Sequence, residues 1–393
     1  MRPGDFEKMV ARPIRVVQML PELNAGGVER GTLELAAYLS ALGHQSTVIS
    51  GGGRMVPELE ANGSRHITWP VGRKSPLVLK YFLPLRRFLI HEAVDILHVR
   101  SRVPAWIAFW VWKSLPESVR PRFVTTFHGY YSINAYSAIM TKGERIIAIS
   151  KGILSHMVDH YGVEAERIEL IYRGVDEKIF DPSIVSSVRM NHLRKLWKIE
   201  NALLPIIVLP GRLSPWKGQD CFIQSLSRIT DLQWTALCIG DKEENPFRFQ
   251  ELQQMVSRLG LEKRIRFVGH CEDMPAAMML SDVVVSASSS EPEAFGRTVV
   301  EAQAMGKPVV ATAHGGSLET VLDGKTGWLV PPQDTDSLSH ALANAILNKN
   351  LCREFGREGR KWVMDNFTVR RMCEKTLNVY EQLLNRADSG YSS

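Results

Sequence analysis

The sequence predicts an α/β protein built from two doubly wound lobes in tandem, on three observations. The chain has 393 residues, more than double the roughly 150 residues of a typical domain. Two distant segments open in the same way, with an apolar run, a glycine-bearing turn and a helical pattern. After each opening, short apolar runs alternate with helical patterns, the mark of parallel strands joined by crossover helices.

The first opening runs Ile14–Leu20, breaks at Asn24-Ala-Gly-Gly27 and continues as a helical pattern from Val28 to Leu42, stopping at Gly43. The second runs Pro205–Pro210, breaks across Gly211-Arg-Leu-Ser-Pro-Trp-Lys-Gly218 and turns helical from Gln219 to about Ile229. Further strands are expected at His44–Ser50, Ile96–Val99, Phe123–Phe127 and Arg145–Ile149, then at Trp234–Ile239, Ile265–Val268, Val283–Ser286 and Pro308–Thr312. The crossover is placed between Arg173-Gly-Val-Asp176 and Asp181-Pro182, giving lobes over 1–180 and 181–368 and a helix with tail over 369–393. A helix at Val369–Leu384 follows the last strand and has no strand left to connect, so it is expected to pack back on the first lobe.

Composition narrows the class. Hydrophobic residues make up 45% and charged residues 23%, which speaks for an ordinary globular protein and against disorder or a fibre. The formal charge of +6 fits an anionic partner. Cys221, Cys238, Cys271, Cys352 and Cys373 show no metal-ligand spacing, so they read as isolated reduced thiols. Residues 1–13 hold Asp5 and Glu7 and lack the apolar core of a signal peptide. The greasiest stretch, Pro104–Leu115, is interrupted by Lys113 and falls short of the roughly 20 residues a spanning helix needs. A cytoplasmic protein that meets a membrane only from its surface is the resulting expectation. Arg73–His91 carries Arg73, Lys74, Lys80, Arg86 and Arg87 among apolar residues, with no Asp or Glu. As a helix it would suit an anionic lipid face, or equally a core-facing helix with a solvated basic side. Beyond this stretch, no basic run with stacking aromatics points to nucleic acid.

Five short segments carry chemistry. In Glu291-Pro-Glu-Ala-Phe-Gly-Arg-Thr-Val-Val-Glu301 a loop leads into a helix capped at Gly306. The amides around Phe295, Gly296 and Arg297 then point out of a helix N-terminus, where an anion is favoured. Glu293 and Glu301 are placed to accept hydrogen bonds from sugar hydroxyls; the plainer alternative is that Glu293 complements the helix dipole and Glu301 faces water. Arg212 and Lys217 sit beyond a strand's carboxyl end, where open α/β sheets bind ligands, and a planar fork with a point charge suits a diphosphate. Solvated loop cations are the alternative there. Gly26-Gly27 offer amides at the first helix's start. His128 ends an apolar strand in Thr126-Phe-His-Gly129, in a structural or a contact role. Gly315-Gly316-Ser-Leu-Glu319 again offers amides and a carboxylate at a strand end.

These motifs occur in one order along nearly the whole chain: Gly-Gly, Thr-x-His-Gly, Gly-Arg-Leu with a downstream Lys-Gly, Glu-x7-Glu around Phe-Gly, and Gly-Gly-x-x-Glu. The series resembles the family 4 retaining glycosyltransferases of the GT-B fold, in which two Rossmann-like lobes face across a cleft. The resemblance implies a UDP- or GDP-sugar donor on the second lobe, with Glu301 on the ribose and Arg212 and Lys217 on the diphosphate. It places Glu293 and the Ala294–Gly296 amides on the transferred sugar, His128 near the sugar's reacting face and Gly26-Gly27 opposite the phosphates. It implies no metal and no further cofactor. The chain departs from the pattern at Arg173, where many relatives carry Asn, and by an extra carboxylate, Glu291. The Arg-Gly-Val-Asp variant resembles enzymes of bacterial lipopolysaccharide-core synthesis and points to a glycan or lipid-linked acceptor. Base recognition is expected near Gly269-His270-Cys271. A nucleotide-sugar 2-epimerase and a non-catalytic sugar-nucleotide sensor would share this architecture.

Overall fold

A computed structural model describes residues 12–389, apart from 25, 200 and 202. Most of the N-terminal stretch read as lacking a signal sequence, and residues 390–393 of the polar tail, lie outside the described residues.

Two compact units divide the chain. One contains residues up to 149, 153–171 and 373 onward; the other contains 150–152 and 172–372. In the first, β1 (Arg15–Met19), β2 (Gln45–Ser50), β3 (Arg65–Thr68), β4 (Ile96–Val99), β5 (Arg122–Phe127), β6 (Arg145–Ala148) and β7 (Ile168–Leu170) form one sheet in the order β3-β2-β1-β4-β5-β6-β7. Every pairing is parallel. In the second, β8 (Ile206–Pro210), β9 (Thr235–Ile239), β10 (Ile265–Gly269), β11 (Val283–Ser286), β12 (Val309–Thr312) and β13 (Gly327–Val330) give the order β10-β9-β8-β11-β12-β13. These too are all parallel. The two doubly wound sheets match the fold class expected from the sequence.

Three strands escaped the sequence reading: β3, β7 and β13. Each is an edge of its sheet. An edge strand needs no continuous apolar run, and β3 (Arg-His-Ile-Thr) is exposed at both ends of its length. Central strands such as β4 and β11 are apolar because helices cover both of their faces, and they fall where the sequence placed them. In the second unit that covering gives a core in which Phe222, Trp234 and Leu252 are fully or almost fully buried.

The Arg73–His91 stretch is broken. A 3-10 turn over Pro76–Tyr81, opened by Ser75 whose hydroxyl accepts from the Leu77 amide (3.3 Å), precedes a helix over Phe82–His91. Pro84 explains the break, because it has no amide to pair with the Lys80 carbonyl one turn earlier. Proline is tolerated here only within the first turn of the new helix.

The last helix, Val369–Ser389, starts in the second unit and ends in the first. Tyr380 is fully buried, and its hydroxyl meets His98 Nδ1 at 2.6 Å while His98 Nε2 meets the Thr126 hydroxyl at 2.6 Å. All five cysteines are free and buried, and burial pushes the Cys238 thiol up to about 12. Among the described residues no helix is long and apolar enough to cross a membrane.

Candidate active site

In an open parallel sheet the chain winds outward from one strand in one direction and later in the other. The loops after the two strands at the reversal diverge and leave a crevice at their carboxyl ends. In the second unit that reversal lies between β8 and β11, since β9 and β10 extend one way and β12 and β13 the other. Lys217 follows β8 and Glu293 follows β11, so the two expected charges arrive at the same crevice.

They meet there. The Lys217 ammonium donates to Glu293 Oε1, with only 18% and 14% of the two side chains exposed. Ser288 donates to the same oxygen at 3.2 Å. The Lys217 ammonium also lies 4.2 Å from the centre of the Trp216 ring, a cation–π contact that helps hold a charge with few water partners. The two loops are laced by Ser289, whose amide donates to the Trp216 carbonyl (2.8 Å) and whose hydroxyl donates to the Pro215 carbonyl (3.0 Å). Gly218 makes that approach possible. Its φ of +73° suits glycine, and a Cβ there would run into the Ala287 carbonyl. Arg212 is exposed at the crevice, its carbonyl held by the Gln219 side-chain amide at 2.9 Å.

Gly296, at φ +87°, caps the helix Arg297–Ala304. Phe295 is buried against Tyr172 and Phe367, so its ring packs inside the second unit. Glu301 lies one turn into this helix and pairs with Arg297 Nε at 3.3 Å. The loop after β12 supports the Glu293 loop from below: Gly316 donates its amide to the Glu293 carbonyl at 2.7 Å. A Cβ at Gly315 would run into that carbonyl, and one at Gly316 into the Phe295 backbone. Burial, and then a hydrogen bond to Glu319, raise the Tyr172 phenol above its ordinary range.

Not every expected residue joins this cluster. The Gly316 amide is committed to Glu293, so Gly315-Gly316 shape the site by admitting a close neighbour. Arg173 is buried with Nη1 3.7 Å from the sulfur of Met372, 199 residues along the chain. His270 is exposed after β10, two strands from β8 and thus about 10 Å across the sheet. Glu291 is exposed. Ser288 and Trp216 were not singled out as contacts, although a serine run at a strand's carboxyl end and an indole beside a lysine are visible in the sequence.

The first unit has its own reversal, between β1 and β4. Gly26 follows β1 with φ +132°, and a Cβ there would press on the Glu29 carboxylate. His128, half-buried, follows β5, the next strand along.

Residues 25–178 match the Glycosyltransferase Family 4 domain and residues 198–362 the Glycosyl transferases group 1 domain. A solved glycosyltransferase from Rickettsia africae is 33% identical, with a TM-score of 0.88 over 95% of this chain and 99% of that one. The chain belongs to the family 4 glycosyltransferases. This glycosyltransferase is also 30% identical, over 63% of its length and 67% of the relative's, to a GDP-mannose-dependent alpha-(1-6)-phosphatidylinositol monomannoside mannosyltransferase of Mycolicibacterium smegmatis. Its fold matches that of Anabaena HepE, solved with UDP-glucose, at a TM-score of 0.81, 24% identity and coverage of 94% and 100%. The glycosyltransferase is therefore an enzyme of nucleotide-sugar chemistry on the GT-B fold.

Proposed function

We propose that this glycosyltransferase moves a sugar, with retention of anomeric configuration and without a metal, from a UDP- or GDP-sugar to a glycan or lipid-linked acceptor of the bacterial envelope. The observation that carries the reading is the convergence of Lys217, Glu293 and Ser288 at the β8/β11 reversal. Arg212 and Lys217 hold the donor diphosphate and supply the positive charge a metal would otherwise bring as negative charge develops on the leaving group. Glu301 takes the ribose hydroxyls. Glu293 and the Ala294–Gly296 amides position the transferred sugar. In the first unit, Gly26, Gly27 and His128 edge the carboxyl end of their own sheet and address the acceptor side.

The step is a front-face displacement. The acceptor oxygen forms its bond to the anomeric carbon as the bond from that carbon to the phosphate oxygen breaks. The acceptor's proton passes to the departing diphosphate, which leaves with the electron pair. The enzyme works in the cytoplasm at the inner face of the membrane, a reading supported by five free, buried cysteines and by the basic Arg73–His91 segment.

A thermal-shift screen over UDP-, GDP- and ADP-sugars tests the donor class. One UDP- or GDP-sugar is expected to raise the Tm and to be hydrolysed slowly on its own. With an acceptor, NMR of the product is expected to show the donor's anomeric configuration; an inverted product sinks the mechanism.

A further inference from the structure

The first unit carries a second concavity that none of these roles explains. A cavity of about 820 Å³ lies between the Pro76–Tyr81 turn, Phe82 and the helix Arg102–Ser114. That size suits a small-molecule ligand. Val78 and Ile107 form its buried apolar base. Leu79 and Trp110 line it while remaining 65% and 52% exposed. Trp106 is held in the wall by its indole N–H, which donates to the Tyr136 carbonyl at 3.1 Å. Arg73, Lys74 and Lys113 complete the lining.

Three features define the occupant. Large apolar side chains left open to water in a patch, with Leu77 exposed on the same turn and Leu83 on the helix that follows it, mark a surface that is covered in use. The charge around them has one sign: neither Arg73–His91 nor the helix Arg102–Ser114 contains an Asp or Glu. Indoles and lysine or arginine stems around an apolar hollow are the composition of a membrane–water interface. An apolar base leaves nothing to pair with a nucleotide base or a free sugar. The occupant has an apolar chain and an anionic head.

We propose that this groove receives an acyl chain of an anionic bilayer phospholipid, with Arg73, Lys74 and Lys113 on its phosphate, seating the first unit on the membrane surface. The inference deepens the surface-association part of the function proposed above and does not depend on the transfer chemistry.

The test uses the full chain with vesicles of phosphatidylcholine and phosphatidylglycerol, the latter brominated along its acyl chain. The protein is expected to sediment with these vesicles and not with pure phosphatidylcholine, and bromine is expected to quench tryptophan fluorescence. Trp110→Phe is expected to remove a share of that quenching. Leu79→Glu is expected to weaken binding by about tenfold or more, with donor hydrolysis unchanged as the check on folding. Lys74→Glu, at an exposed site, is expected to weaken binding in a way that salt suppresses in the parent. No sedimentation, as for a groove that docks an acidic peptide instead, overturns the proposal. So does sedimentation without quenching, or quenching that Trp110→Phe and Leu79→Glu leave untouched. Failure of donor hydrolysis in the parent would count against the transfer reading alone.

Discussion

Lys217 and Glu293 are 76 residues apart in the chain and share one partly buried contact, with Ser288 on the same carboxylate oxygen. Removing one member of such a pair leaves the other charge without its partner. Lys217→Ala is expected to lower kcat by about 10²–10³-fold, the scale of a lost charge stabiliser at a developing anion, in a steady-state assay with the donor identified by thermal shift. Glu293→Gln separates two roles. Turnover is expected to fall because a charged two-oxygen acceptor facing the sugar becomes a neutral amide with one acceptor oxygen, while the nucleoside diphosphate is expected to bind more tightly because the Lys217 charge is released; calorimetry measures that Kd. Each residue was legible by type and by its place after a strand. Their contact was not, since spacing along a chain carries no record of which loops the sheet will set side by side. The same holds for Gly315, whose glycine character was legible but whose neighbour, the Glu293 carbonyl, was not. Gly315→Ala forces a Cβ against that carbonyl at φ +56° and is expected to cost about 1–3 kcal/mol of stability by thermal melting, and to lower activity through the displaced Glu293.

At the scale of elements, legibility follows burial. Strands enclosed by helices on both faces are mostly apolar, with a polar residue such as His98 only where partners meet it, and β4 and β11 sit on the residues expected of them. β3 (Arg-His-Ile-Thr) and β7 (Ile-Glu-Leu), each with one side unpaired, are broken by charged residues, and β13 (Gly-Trp-Leu-Val) opens on a glycine, whereas the fourth edge, β10, was legible. Within the second unit, Arg189 clasps Asp273 through two hydrogen bonds of 2.8 and 2.6 Å, joining the helix Ser187–Leu196 to the cap of the helix Met274–Leu280. The guanidinium holds the Asp273 carboxyl below its ordinary range. A carboxylate depressed in the folded state stabilises the fold above its unfolded pKa, near 3.9, and that contribution is lost as pH falls through the folded value. Asp273→Asn keeps the capping oxygen and loses the charge. Its Tm is expected to lie below the parent's at neutral pH, with the gap closing as pH falls below the unfolded value and through the depressed folded one.

The whole chain is one enzyme written as two doubly wound units, and that much was readable from two similar openings about 190 residues apart. The passage of the final helix into the first unit was readable from topology, as a helix with no strand to serve. What it does there was not. Tyr380 and His98 stand 282 residues apart, and their hydrogen bond joins the chain's last helix to the middle of its first sheet. Burial lowers the Arg100 guanidinium pKa, with Tyr380, Cys373 and Glu34 the groups that offset it. Without the final helix His98 would lose Tyr380, and Arg100 would lose Tyr380 and Cys373. That circuit sets a schedule for synthesis. A ribosome delivers the first unit's strands early, yet the piece that seals them comes after the entire second unit has been made. The nascent first half must wait with His98 and Arg100 unsealed while its neighbour folds. A chain ending at Met372 is expected to yield a second unit that melts cooperatively beside a first unit that pulse proteolysis digests, because residues 373–393 seal the first sheet.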